Sequence, residues 1–140
     1  MQHTIQLAAH LAAAPAAIYD MYLDQRLHAE ITGAPAAVEA RVGARFSAFD
    51  GTLTGTILQL APGRLIVQSW RSPAWAADDV DSTLILNLSA AGRGQTLVQL
   101  IQINVPTADF AGVSQGWELY YWAPWRQYLA KRATARPRKR

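Results

Sequence analysis

At 140 residues the chain is long enough for one domain with a substantial core, and the absence of cysteine excludes disulfides, thiolate metal sites and a cysteine nucleophile. The formal net charge of +3 misleads, because six of the thirteen Lys and Arg residues lie at 131–140, leaving seven against ten acids, a net of −3, over residues 1–130. That balance argues against a specific nucleic-acid face on the domain.

Residues 1–130 therefore read as the folded domain and residues 131–140 as a basic tail with too little apolar content to order. No apolar run approaches the roughly 18 residues of a membrane span. The Ala-rich stretch at 7–17, broken by His10 and Pro15 and lacking a basic leader, does not resemble a signal peptide, so the expected setting is cytoplasmic.

In chain order, residues 4–9 alternate weakly and predict a strand with Ile5 and Leu7 on one face. Pro15 suits the first turn of a short helix carrying Ile18, Tyr19, Tyr22 and Leu23. Asp24 is the expected N-cap of a second short helix that ends before Gly33, its left-handed terminator. Residues 38–41 and 45–49 read as strands, the second closing on Asp50 and Gly51, a type I′ hairpin signal. Residues 52–60, the turn Ala61-Pro62-Gly63 and residues 64–71 continue a meander. A loop at 72–81 carries Trp75, and residues 82–88 and 96–104 form a last pair joined around Gly92 and Gly94.

Residues 108–131 then predict one long helix with Thr107 as its N-cap. Phe110, Val113, Trp117, Tyr121, Pro124 and Tyr128 recur at spacings of three and four, forming an apolar stripe that needs a wide partner surface. The economical arrangement is α+β: seven strands in a curved antiparallel sheet wrapped around this helix, with two short helices after the first strand. Gly116 inside the helix is explained either by close packing or by approach of a ligand, and Pro124 predicts a bend because it cannot donate to the Tyr120 carbonyl.

Strand parity assigns the inner face. Placing Trp70 inside brings Ile66 and Gln68 with it, followed by Leu84, Leu86 and Leu88, then Val98, Leu100 and Gln102. With Val113, Trp117, Tyr120 and Tyr121 from the helix, this predicts a lining for an apolar or aromatic small molecule, oriented by Gln68, Ser82, Gln102 or a phenol. The competing reading is a filled aromatic core. The outer face then carries Val67, Ile85, Leu97, Ile101 and Ile103, a patch suited to a two-fold homodimer.

Catalytic signals are thin. His3, His10 and His28 lie in separate segments, where exposed or capping roles are expected. Asp20, Asp24 and His28 share helical spacing, but the break at Asp24 favours solvated side chains over a metal cluster. Asp78, Asp79 and Asp81 lack the glycine turn and distal glutamate of a calcium loop. Ser47, Ser69 and Ser114 have no histidine near them in sequence. No catalytic residue, metal site or cofactor is assigned, and a cyclase-type enzyme is the less favoured reading.

One run carries a more specific signal. Phe49-Asp50-Gly51-Thr52-Leu53-Thr54-Gly55, then Leu60 through Arg71 with Trp75, then Val105-Pro106, Gln115-Gly116-Trp117 and Tyr120-Tyr121-Trp122 resemble, in that order, the family of activators of heat-shock protein 90 ATPase. The resemblance is clearest over residues 46–129. It implies the helix-grip fold of the START-like and polyketide-cyclase superfamily, and a chaperone contact as the alternative to small-molecule binding. Eukaryotic activators pair this type of domain with a separate N-terminal domain that makes a major chaperone contact, so the resemblance implies the fold more directly than the activity.

Overall fold

The computed structural model describes residues 2–135. Six antiparallel strands, β1 (Gln2–Leu11), β2 (Arg45–Ala48), β3 (Leu53–Ala61), β4 (Leu65–Trp70), β5 (Ser82–Ala90) and β6 (Thr96–Pro106), form one sheet in the order β1-β6-β5-β4-β3-β2. Two short helices, α1 (Pro15–Leu23) and α2 (Gln25–Thr32), follow β1. After β6 come a 3₁₀ turn at Thr107–Asp109, α3 (Phe110–Trp117), a π-helical turn at Glu118–Trp122 and α4 (Ala123–Ala135). No helix among the described residues is long and apolar enough to cross a membrane.

The local signals act as their chemistry demands. Pro15 opens α1, Asp24 Oδ1 accepts from the Leu27 amide at 3.0 Å, and Gly33 ends α2 at φ 79°. Asp50 and Gly51 hold φ of 58° and 83° between β2 and β3, while the Thr52 amide donates to the Phe49 carbonyl, as a type I′ turn requires. Gly55 in β3 is obligatory for another reason: a Cβ there would lie 1.8 Å from the Ser69 carbonyl oxygen of β4.

Seven strands were expected and six form. The run Val38, Ala40, Val42 has a strand's alternation, but residues 39–43 are consumed by tight turns. The Arg41 amide donates to the Glu39 carbonyl, the Ala44 amide to that of Arg41, and Gly43 takes φ 91°. Only Val38 reaches the core, Val42 is 57% exposed, and a single bridge between Ala37 and Ser47 remains of the expected pairing.

Burial follows the assigned parity across the sheet. Ile66, Gln68 and Trp70, then Leu84, Leu86 and Leu88, then Val98, Leu100 and Gln102 are all buried, and the cross-strand register aligns Gln68, Leu84 and Gln102 in one row. The helical layer covers this face.

The stripe on that layer departs from uniform helical spacing. Val113, Trp117 and Tyr121 are buried as expected, but the next inward residues are Trp122, Trp125 and Leu129, while Pro124 and Tyr128 are half-buried. The π turn supplies the reason. The Ala123 amide donates to the Glu118 carbonyl five residues back, so one extra residue enters the turn and shifts the inward register by one. Pro124, with no N–H to give, lies immediately after this irregularity. Thr107 opens the 3₁₀ turn instead of capping α3, which has no side-chain cap, and its hydroxyl lies 3.0 Å from His3 Nε2. Helix α4 runs to Ala135, beyond the boundary expected at residue 130. The tail expectation for residues 136–140 lies outside the described residues.

Candidate functional site

Between the β2–β3 hairpin and α3 the helical layer stands off the sheet, leaving a cleft of about 410 Å³. Phe49, Thr52 and Leu53 form its hairpin side, Trp70 and Ser72 the end of β4, and Asp109, Gly112, Val113, Gly116, Trp117, Tyr120 and Tyr121 its helical wall. Most of the lining side chains are apolar or aromatic.

The wall is shaped by glycine. Gly112 and Gly116 are one turn apart on α3, so they share a face. A Cβ on Gly116 would meet the Tyr120 ring at 3.5 Å, an ordinary contact, with no strand pressed against it. Close packing therefore does not explain this glycine, and what a larger side chain would occupy is the cleft.

The hairpin side is under backbone strain. Phe49 holds φ 54°, unusual for a bulky side chain, and its ring meets Tyr120 at 5.9 Å and 70° and Tyr121 at 5.6 Å and 90°. Trp117 leans on Tyr121 at 4.8 Å. Trp70 packs against Trp75 of the 72–81 loop at 5.7 Å, and its buried indole nitrogen has no hydrogen-bond partner among the described residues.

Beneath the cleft the polar groups are paired with one another. Trp117 Nε1 donates to Gln102 Oε1 at 2.9 Å, Gln102 Nε2 to Ser82 Oγ at 3.0 Å, and that hydroxyl to the Trp70 carbonyl at 2.7 Å. A second set ties α1 and α2 to the sheet and helix. The Tyr22 hydroxyl donates to Gln68 Oε1 at 2.5 Å, and Gln68 Nε2 to the Ser69 carbonyl at 3.2 Å. His28 Nδ1 lies 2.8 Å from the Tyr22 carbonyl, and Nε2 lies 2.8 Å from the Tyr121 hydroxyl. A carbonyl can only accept, so Nδ1 carries the proton and the phenol of Tyr121 donates to Nε2.

The electrostatics agree with that assignment. Burial lowers the pKa of His28, an effect partly offset by its bond to the Tyr22 carbonyl. Burial also raises the phenols of Tyr121 and Tyr22, the latter with a further contribution from Tyr121. All three stay uncharged near neutral pH, and the Tyr121 proton is directed to His28, which does not line the cleft.

Of the twelve residues predicted as ligand contacts, Trp70, Val113, Trp117, Tyr120 and Tyr121 line the cleft. Ile66, Gln68, Leu84, Leu86, Val98, Leu100 and Gln102 are buried on the same face but lie outside the lining. Phe49, Thr52, Leu53, Ser72, Asp109 and Gly112 belong to the lining without having been anticipated.

His28 corrects another expectation, being 1% exposed and neither a cap nor a surface group. Its spacing of three from Ile31, the other buried residue of α2, was the available signal. The acidic loop also has a structural role: Arg71 pairs with Asp81 at 3.2 Å and donates to the carbonyls of Ala76 and Asp79, each at 2.6 Å. Among the described residues no group of three or more His, Asp or Glu is placed to hold a metal ion.

Residues 12–130 match the family described as "Activator of Hsp90 ATPase homolog 1-like protein". Among curated proteins, the chain is 28% identical over 115 residues to the Activator of 90 kDa heat shock protein ATPase homolog of Dictyostelium discoideum, covering 82% of this chain and 30% of that protein. The chain thus spans about a third of the length of the curated relatives it matches. Among solved structures, an HSP90 activator from Plasmodium falciparum superposes with a TM-score of 0.84 at 19% identity, covering 91% of this chain and 96% of that one. The Aha1 dimer from Colwellia psychrerythraea gives 0.71 at 17% identity, over 84% and 90% of the two chains. At these identities the two structures show a shared fold.

Proposed function

The chain belongs to the Activator of Hsp90 ATPase homolog 1-like family, and from that premise we propose that it binds an apolar or aromatic small molecule, without converting it, in the cleft between the β2–β3 hairpin and α3. The observation that carries this reading is the cleft of about 410 Å³ walled by Phe49, Trp70, Trp117, Tyr120 and Tyr121, with two glycines holding the helical side open.

Native mass spectrometry of the purified chain, followed by extraction, tests for a bound molecule. Titration with the neutral dye N-phenyl-1-naphthylamine tests the site, using wild type and Gly116→Leu. Saturable binding that weakens at least about tenfold in the variant, with the melting temperature maintained, supports the cleft. Equal binding by both would move the site elsewhere.

The names of the relatives favour a second reading, contact with a heat-shock protein 90 chaperone through the surface. Saturable acceleration of a chaperone's ATPase by this chain would support it, and a flat response would oppose it. A cytoplasmic setting accords with either role.

Self-association is proposed through the outer sheet face. The register places Val67, Ile85 and Ile101 side by side across β4, β5 and β6, with Ile103 in the next row at 38% exposure. Leu97 lies farther off, separated from Ile101 by the exposed Gln99. The Colwellia psychrerythraea protein is a dimer. Ile101→Lys should convert a dimer to monomer in analytical ultracentrifugation with the fold retained. A wild type already monomeric at high micromolar concentration defeats the proposal.

A further inference from the structure

We propose that the molecule held in this cleft is an apolar cation, an aromatic or alkyl body ending in an ammonium or amine group. The inference rests on the cleft-binding reading and names its ligand class.

Among the described residues Asp109 is the only Asp or Glu in the lining, and no Lys, Arg or His accompanies it. Its carboxylate is held from two sides. Trp75 Nε1 donates to Oδ2 at 2.6 Å, and Oδ1 lies 3.0 Å from the position a Cβ on Gly112 would take, so the glycine leaves this oxygen its place on the wall. Oδ1 has no hydrogen-bond partner among the described residues. Arg71, next in sequence to the lining residue Ser72, is turned onto Asp81 and the Ala76 and Asp79 carbonyls.

The rings supply the rest of the recognition. Phe49 stands edge-on to Tyr120 and Tyr121, whereas Trp117 leans over Tyr121 with 32° between the planes. Rings set at such angles present π-faces in different directions, and those faces attract positive charge through their quadrupoles, tryptophan most strongly. A carboxylate among aromatic faces, with no basic side chain in the wall, favours a cation over a neutral molecule and repels an anion such as a fatty acid. Two of the wall's donors are already committed, the Tyr121 hydroxyl to His28 and the Trp117 N–H to Gln102, which leaves the Trp70 N–H and the hydroxyls of Thr52, Ser72 and Tyr120 as the groups an anion would have to use against the Asp109 charge.

The test compares three probes of similar body and different charge: benzyltrimethylammonium, its neutral carbon isostere neopentylbenzene, and phenylacetate. Each is titrated by tryptophan fluorescence into wild type, Asp109→Asn and Gly116→Leu. Asp109→Asn keeps an oxygen to accept from Trp75 and removes the charge. The cation should bind wild type about tenfold or more tightly than the isostere, with phenylacetate weakest. Asp109→Asn should bring cation and isostere within about threefold of one another, and Gly116→Leu should weaken both. Raising the ionic strength should weaken the cation alone, a readout that needs no variant.

If the isostere or phenylacetate binds wild type as tightly as the cation, or if neither Asp109→Asn nor salt alters their ratio, the cation assignment falls while the cleft stands. A cation that binds Gly116→Leu as well as wild type places its site elsewhere and overturns the proposal. No saturable response to any probe overturns the cleft reading itself, and this proposal with it.

Discussion

The interior between sheet and helices is built differently at its two ends, although both ends use aromatic residues. On the α2 side, Tyr22, His28, Phe46 and Tyr121 form one contiguous cluster, with Tyr22 stacked on Phe46 at 5.8 Å and 9°, both ring nitrogens of His28 bonded within it and the Tyr22 hydroxyl bonded to Gln68 of the sheet. On the hairpin side, Phe49, Trp70, Trp117 and Tyr120 border open space. Aromatic content does not separate core from cleft here. The separation comes from what lies opposite the rings: paired side chains at one end, and Gly112 and Gly116 with a strained hairpin at the other.

Trp117 lies on the boundary between the two regions and should give the largest effect. It is 3% exposed and donates to buried Gln102. Trp117→Ala should therefore lose about 3 to 5 kcal/mol of stability, by removing a buried ring and leaving Gln102 Oε1 unpaired. Chemical denaturation measures it. A loss below about 1 kcal/mol would mean that the cleft reaches beneath the helix and that Trp117 belongs to it alone.

The closed end should respond to pH. The folded-state pKa of His28 is lowered, so the unfolded chain binds its proton first. The contribution is fully present above the unfolded value of about 6.5 and is lost as pH falls from there through the lowered folded value. Protonation also turns Nε2 into a donor facing the Tyr121 hydroxyl, which must then reverse its bond. Urea unfolding between pH 7.5 and 5 should show stability falling with pH, and His28→Gln should flatten that slope. An unchanged slope in the variant would assign the dependence to other groups.

What could be read beforehand divides along the same line. Two-residue alternation is a strong signal, and it placed Ile66, Gln68 and Trp70 inward together because one parity serves a whole strand. Matching blocks such as Gln115-Gly116-Trp117 identified the family, and with it the α+β plan of a sheet covered by a C-terminal helix. The π turn was hidden because a stripe drawn at uniform spacing runs on to Pro124 and Tyr128. Only backbone geometry reveals the extra residue that brings Trp122 and Trp125 inward instead. Asp109 and Phe49 were hidden because their roles depend on long-range neighbours: Trp75 lies 34 residues from Asp109, and Tyr120 packs on Phe49 from another element. His28 was judged by residue type when its neighbours in α2 already placed it on the buried face.

Gly116 offers the finest division between the two ends, and the smallest energy. Glycine within a helix is about 1 kcal/mol less favourable than alanine, because it loses more backbone entropy on folding. Were Gly116 required by packing, alanine would clash and the protein would lose stability. The added methyl would instead meet only the Tyr120 ring, at 3.5 and 3.9 Å, with no backbone or strand in the way. Tyr120 is itself 58% exposed and free to adjust. Gly116→Ala should therefore raise stability by about 0.5 to 1 kcal/mol, seen as a small increase in the denaturation midpoint. The same methyl projects into the cleft, so the affinity of a bound probe should fall modestly in the variant that is more stable. A gain in stability with a loss of binding would show that this glycine is retained for the open space beside it. A loss of stability would return Gly116 to the packed core and reduce the cleft by one of its walls.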